Sequence, residues 1–225
     1  MKLLLITIMS FFLMSSGGWV HADAESLYQI RHKDQITQDW EIHAEYPLFD
    51  QLESKDLQKK VNTMIVQKLE RTFRDVQREA SEVMGFPVLY YEETAVYKNK
   101  EFYSVVMTTN ITRGDQYNSQ VTSINFSDEP GGDIHALKDF VHMDRLNKEV
   151  RAQLAQDQET YKFHNFNGVR DTTAFYVNKD KLVLVFNKYE IAAGVHGTPE
   201  IEIPLEKVKK EEKTDKTYAP LPPIV

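Results

Sequence analysis

His196 is the residue of this sequence whose setting best suits chemistry, because it stands in a loop between Gly194 and Gly197. Glu190 lies a few residues upstream, and a histidine beside a carboxylate can act as a general base. A hydrolytic site also needs a nucleophile or a metal, and nothing at a metal-ligand spacing accompanies His196. We therefore interpret His196 as a solvent-facing loop residue in a protein that is not an enzyme. A small hydrolase or deacetylase accessory enzyme is the alternative.

Two further histidines, His135 and His142, lie near Asp139 and Asp144. A metal needs three or four converging ligands, so we interpret these side chains as ordinary surface residues. The sequence contains no cysteine, which excludes disulfides and cysteine-ligated metals. It also lacks a nucleophile elbow, a metalloprotease motif and a phosphate-binding loop. We expect neither a metal nor a cofactor.

The loop around His196 is better suited to binding than to catalysis. Its two glycines allow positive φ angles or a close approach by another part of the chain. Loops held by a rigid scaffold often carry binding residues, and Tyr189 offers a flat amphipathic ring nearby. We predict a ligand-binding site that consists of Tyr189, Gly194, His196 and Gly197.

The segments on either side of this loop have the patterns of strands. From Lys181 to Tyr189 apolar residues fall on both faces of an extended chain, which predicts a strand at the centre of a sheet. From Glu200 to Pro204 isoleucine and glutamate alternate, which is typical of a half-buried strand near an edge.

A long amphipathic helix is predicted from Leu57 to Val83, with Ser54 as its N-cap. Its apolar stripe repeats every three or four residues. We expect Val61, Ile65, Leu69, Phe73 and Val76 to pack on a sheet that contains Leu182, Leu184 and Phe186.

The remaining patterns predict an α+β fold, in which an antiparallel sheet carries one long and one shorter helix. Strands are expected at Ile42–Pro47, on both sides of a turn at Lys98–Lys100, at Gln120–Phe126 and at Thr172–Val177. Residues 113–118 are expected to form a polar loop, and the second helix is expected within Leu137–Gln156.

The N-terminus resembles a secretory signal peptide. Lys2 precedes the apolar run Leu3–Met14, and Val20-His21-Ala22 resembles a cleavage site. We predict cleavage after Ala22, which places the mature chain outside the cytoplasm; an uncleaved anchor is the alternative. No later run is long and apolar enough to span a membrane.

Composition restricts the partners. The net charge is −7, and basic residues are scattered among acidic ones, which argues against a nucleic-acid ligand. A cationic partner is electrostatically easier to bind than an anionic one. Residues 209–225 combine a charge cluster with three prolines and are predicted to form a flexible tail.

One motif resembles a known family. The segment from Phe186 to Ala192, followed by Gly197 and then by Ile201-Glu202-Ile203-Pro204, has the spacing of an extracytoplasmic domain. That domain is found in RsiV, a lysozyme-sensing anti-sigma factor of Gram-positive bacteria, and beside the catalytic module of PdaC-type peptidoglycan deacetylases. Ser123–Phe126 and Leu137–Phe140 are similar to further parts of the family pattern.

The resemblance implies an exported cell-envelope domain that binds a protein or peptidoglycan ligand, with a lysozyme-like protein as one candidate. It also implies a division into residues 23–128, with the long helix and a hairpin, and residues 129–208, with the second helix and the terminal strands. Ala193 and Gly194 stand where the family has proline and tyrosine, so no binding residue is transferred from the family. A structural role in the envelope or in sporulation is a further alternative.

Overall fold

The computed structural model describes residues 27–80, 86–162, 164 and 166–210. The predicted signal peptide therefore lies outside the described residues. Six strands form the first sheet, in the order β1 (Tyr28–Ile36), β2 (Trp40–Phe49), β3 (Val88–Asn99), β4 (Phe102–Arg113), β5 (Gln116–Ser127) and β6 (Ile134–His135). Three strands form the second sheet, in the order β7 (Ala174–Asn178), β8 (Lys181–Val185) and β9 (Glu200–Pro204). The described helices are α1 (Lys55–Ala80), α2 (Leu137–Phe140), α3 (Met143–Gln156) and α4 (Leu205–Val208).

Neighbouring strands are antiparallel except at one place. β2 and β3 run parallel, with Trp40 opposite Val88, because α1 returns the chain across the sheet between them. Ser54 begins this helix as predicted: its Oγ accepts a hydrogen bond from the Leu57 N–H at 3.2 Å. The α+β class is confirmed, with a large and mostly antiparallel sheet.

The molecule has four layers, because a helix covers the outer face of each sheet and the inner faces meet. The buried stripe of α1 packs on the first sheet, where Ile42, Tyr90 and Met107 belong to the same core. α3 packs on the second sheet through a separate core that contains Leu182, Leu184 and Phe186.

The sheets meet through a third, smaller core. It contains Val106 and Val121 from the first sheet and Val183 and Val185 from the second. Tyr97 and Tyr176 stack across this junction, with ring centroids 3.8 Å apart. β8 is the central strand of its sheet and β9 lies at an edge, as their patterns predicted.

Our prediction that α1 packs on Leu182, Leu184 and Phe186 is therefore wrong. Alternating apolar residues show that both faces of β8 are buried, but they do not identify which helix covers each face. We also predicted a single sheet that carries both helices. The structure instead has two sheets, and each is covered by its own helix.

Smaller corrections have local causes. The loop expected at residues 113–118 is a tight turn, because Gly114 adopts φ 58 and β5 begins at Gln116. The second helix is interrupted at Val141, which is extended and pairs with Lys209. Lys210, predicted to belong to the flexible tail, is bonded to the fold, because its N–H donates to the Phe140 carbonyl at 3.2 Å; the rest of the predicted tail, residues 211–225, lies outside the described residues.

The N-terminal segment also contains a strand that the sequence patterns did not predict. β1 pairs along its whole length with β2, although most of its side chains are exposed. The hydrogen bonds of its backbone to β2 hold this strand in place. Because few of its side chains are buried, its sequence has no apolar alternation that would predict a strand. None of the described helices has the length and apolar character that a membrane span requires.

A buried polar cluster lies between α1 and the first sheet. Glu92 is 2% exposed, and its carboxylate accepts hydrogen bonds from Tyr90, from Thr109 at 2.6 Å and from Lys68 of α1 at 3.1 Å. Burial, together with the charge of Glu92, raises the pKa of the Tyr90 hydroxyl well above its ordinary value. The cluster satisfies each charged group inside an otherwise apolar layer.

His135 should make the stability of the fold depend on pH. Its ring stacks on Phe102, with centroids 5.6 Å apart, and its Nε2 lies 2.8 Å from Ser127 Oγ. Burial lowers the pKa of His135 below its ordinary value. The negative charges of Asp133, Glu129 and Asp139 act in the opposite direction, because they favour the protonated ring, but their effect is smaller. The unfolded chain therefore binds this proton more readily, so stability falls as the pH drops below about 6.5.

We expect acidification from about pH 7.5 to about pH 5 to lower the free energy of unfolding more in the wild type than in His135→Phe. Urea unfolding of both proteins at the two pH values measures the difference. An equal loss in both proteins would contradict the assignment.

Candidate functional site

A tight turn follows β8 and presents Tyr189. The Glu190 N–H donates to the Asn187 carbonyl at 3.1 Å, which closes a four-residue turn. Tyr189 occupies its third position with φ 70. Glycine or asparagine is usual at such a position, and a bulky residue there is strained.

The turn is attached to the edge of β5. The Lys188 N–H donates to the Ser119 carbonyl at 3.0 Å, and the Val121 N–H donates to Asn187 Oδ1 at 2.7 Å. The Asn187 side chain thus replaces the main-chain carbonyl that a neighbouring strand would supply. This anchoring explains why the strand predicted from Lys181 to Tyr189 ends at Val185.

Tyr189 lies against Gly194. A Cβ atom at position 194 would overlap the Tyr189 ring, so only glycine permits this contact. Tyr189 as a whole nevertheless remains 53% exposed. Gly194 begins a 3₁₀ turn, Gly194–His196, and Gly197 after it has φ 64. The two glycines of the loop therefore have different roles: Gly194 allows the close approach of Tyr189, and Gly197 allows a positive φ.

A second tyrosine and a lysine extend this surface. Lys188 Nζ lies 3.9 Å from the ring centroid of Tyr117 and 5.1 Å from that of Tyr189. Both distances are within the range of cation–π contacts. Tyr117 is 46% exposed, so the two rings and the ammonium group form one amphipathic surface.

A cleft of about 490 Å³ adjoins Lys188 and Tyr189. Its lining is mostly polar, with carboxamides from Asn118, Gln120, Asn167 and Asn187. Arg170 closes one side through a bidentate pair with Glu190, at 3.0 Å from Nε to Oε1 and 2.7 Å from Nη2 to Oε2. Oε2 of Glu190 also accepts the Asn187 N–H at 3.1 Å. Glu190 is thus held by the turn that it stabilises.

The four predicted site residues separate into two pairs. Tyr189 and Gly194 are in contact. His196 is exposed, and neither it nor Gly197 lines the cleft. Within the described ranges, no group of three histidine, aspartate or glutamate side chains is placed to hold a metal ion.

The structure adds Arg170 and Tyr117, which the sequence analysis did not identify. They come from segments distant from Tyr189, and no spacing in the sequence signals their approach.

Comparison with known proteins supports the fold. A family profile described as "Protein of unknown function (DUF3298)" matches residues 134–206, which include the Tyr189 turn. A crystal structure of a DUF3298 family member from Bacteroides fragilis NCTC 9343 has a TM-score of 0.59 and 14% sequence identity, covering 80% of this chain and 90% of that chain. At this identity the likeness shows a shared fold. No curated protein matches the chain.

Proposed function

We propose that this chain is an exported, non-enzymatic domain of the RsiV and PdaC type, which binds a protein or cell-wall ligand at the Tyr189 turn. The observation that carries the proposal is the conformation of Tyr189. A bulky side chain is held at φ 70 while about half of its surface stays exposed. Strain of this kind collects at functional sites, and an exposed ring contributes little to a core.

The environment of Glu190 supports a binding role over catalysis. Both of its oxygens accept hydrogen bonds from Arg170, and one also accepts the Asn187 N–H. A general base must be free to take a proton. The acid-base pair of His196 and Glu190 considered from the sequence therefore gains no support from this geometry.

Charge supports a cationic partner. The chain has a net charge of −7, and opposite net charges accelerate association. A lysozyme-like protein fits this chemistry, and the family resemblance suggests the same class. Peptidoglycan is the other ligand to test, because the cleft beside Tyr189 is lined with carboxamides that can bind polar groups.

We expect Tyr189→Gly to abolish most binding while the fold is retained. Glycine adopts φ 70 without strain, and this gain offsets the lost contact with Gly194, so stability should change by less than about 1 kcal/mol. Binding should weaken by about tenfold or more if the ring is a central contact. Titration of lysozyme and of soluble peptidoglycan fragments against both proteins measures the effect, with thermal unfolding in parallel.

Two variants of the same loop serve as controls. His196→Ala should leave stability within about 0.5 kcal/mol, as expected of an exposed position, and it tests whether the histidine contributes to binding. Gly197→Val should destabilise the loop because φ is 64 there. Binding that survives Tyr189→Gly, or hydrolysis of peptidoglycan that depends on His196, would refute the proposal.

A further inference from the structure

The edge of β5 has a short open stretch at Ser123. On one side of it, the Ser119 carbonyl and the Val121 N–H are bonded to the turn after β8. On the other side, β6 pairs with Asn125 and Phe126. Between these two stretches the backbone N–H and C=O of Ser123 have no hydrogen-bond partner in the described part of the chain, while its Oγ accepts the Phe175 N–H at 3.0 Å.

The backbone of Ser123 points away from β4. Alternate residues of an antiparallel strand direct both N–H and C=O to the same side. Ser119, Val121 and Ser127 all bond outward, and the register of β4 with β5 is continuous from Phe102 to Arg113. Ser123 therefore presents one donor and one acceptor at the free edge.

This edge opens into a groove of about 580 Å³ between α1 and the segment that leads into β7. Met64 of α1 is 38% exposed beside it. Arg71 also lines the groove and makes no ion pair or hydrogen bond with any described residue. Asn125 lines it as well, and its Oδ1 is buried without a hydrogen-bond partner in the described structure.

We propose that this groove binds an extended peptide segment, which adds a short strand to the edge of β5 at Ser123. One donor and one acceptor on the same residue complement a peptide main chain, as in other cases of strand addition. Met64 favours an apolar side chain on the face of the ligand that points to α1. Arg71 favours a carboxylate on that face. The ligand is thus an extended peptide with an apolar and an acidic residue two positions apart.

The test uses the full chain and a synthetic tripeptide, acetyl-Val-Thr-Glu-amide, in which valine and glutamate share one face and which is short enough to lie between the Asn187 side chain and β6. Amide hydrogen exchange of the ¹⁵N-labelled protein is measured with and without saturating peptide. The Ser123 N–H should exchange about tenfold more slowly in the complex. The Val121 N–H, already bonded to Asn187, should change little.

Two matched changes test how the peptide is held. Replacing its Val–Thr amide by an ester removes one main-chain donor and should weaken binding about fivefold. Arg71→Glu should weaken binding about tenfold. Arg74→Glu, on the same helix but outside the groove and 3.9 Å from Glu70, should leave affinity within about twofold.

Several results would overturn the proposal. These are the absence of protection at Ser123, equal affinity of the ester and the amide, or equal effects of Arg71→Glu and Arg74→Glu. Chitotetraose is titrated in parallel. Protection of Ser123 by this glycan and not by the peptide would assign the groove to a carbohydrate instead.

Discussion

Lys68→Met is expected to destabilise the protein by about 3–5 kcal/mol, the usual cost of removing one partner from a buried ion pair. The Glu92 side chain is fully buried and that of Lys68 is 21% exposed. Without the ammonium group, the hydroxyls of Tyr90 and Thr109 are the partners that the carboxylate keeps among the described residues. Urea unfolding followed by far-ultraviolet circular dichroism measures the loss.

A second change separates charge from packing. Adding Glu92→Gln to Lys68→Met removes the unpaired charge but keeps an acceptor for the two hydroxyls, so more than half of the lost stability should return. Lys60→Met is the surface control. Its pair with Asp133 joins side chains that are 55% and 66% exposed, so it should cost less than about 1 kcal/mol. Equal effects of Lys60→Met and Lys68→Met would contradict the role of the buried cluster.

Phe73→Ala and Phe186→Ala should each destabilise the fold by about 3–5 kcal/mol, because both rings are buried and leave cavities. Phe73 packs edge-on to Tyr90 in the core under α1. Phe186 packs edge-on to Phe166 in the core under α3. A melting temperature unmoved by either change would contradict this burial.

The same two positions test whether the cores are separate. The milder changes Phe73→Leu and Phe186→Leu, each costing about 1 kcal/mol, leave enough stability to measure the double variant. Because the two rings belong to different cores, their effects should add to within about 0.5 kcal/mol. A coupling above about 1 kcal/mol would indicate one shared core.

Much of the fold can be predicted from local patterns. The apolar stripe of α1 identifies a helix with one buried face, and the alternation around Leu182 and Leu184 identifies a strand buried on both sides. These patterns report that a face is covered but do not report what covers it. We assigned β8 to the wrong helix because the sequence pattern lacks this information. The tertiary contacts of the structure were needed to correct the assignment.

The candidate site was predictable only within one segment. Tyr189 and Gly194 are five residues apart, and the glycine signals a close approach. Arg170 and Tyr117 reach the same surface from other segments, and no spacing in the sequence connects them. The positive φ of Tyr189 was equally hidden, because tyrosine gives no sign of a left-handed backbone.

The parallel junction of β2 and β3 provides an optical probe of folding. The sequence has two tryptophans, and Trp19 is lost if the signal peptide is cleaved as predicted. Trp40 then remains, opposite Val88 and against the core under α1. Its fluorescence reports on the first sheet, whereas the part of the near-ultraviolet dichroism that Tyr176→Phe removes reports on the stack of Tyr97 and Tyr176 between the sheets. If the two signals change at the same urea concentration, the four layers unfold as one cooperative unit.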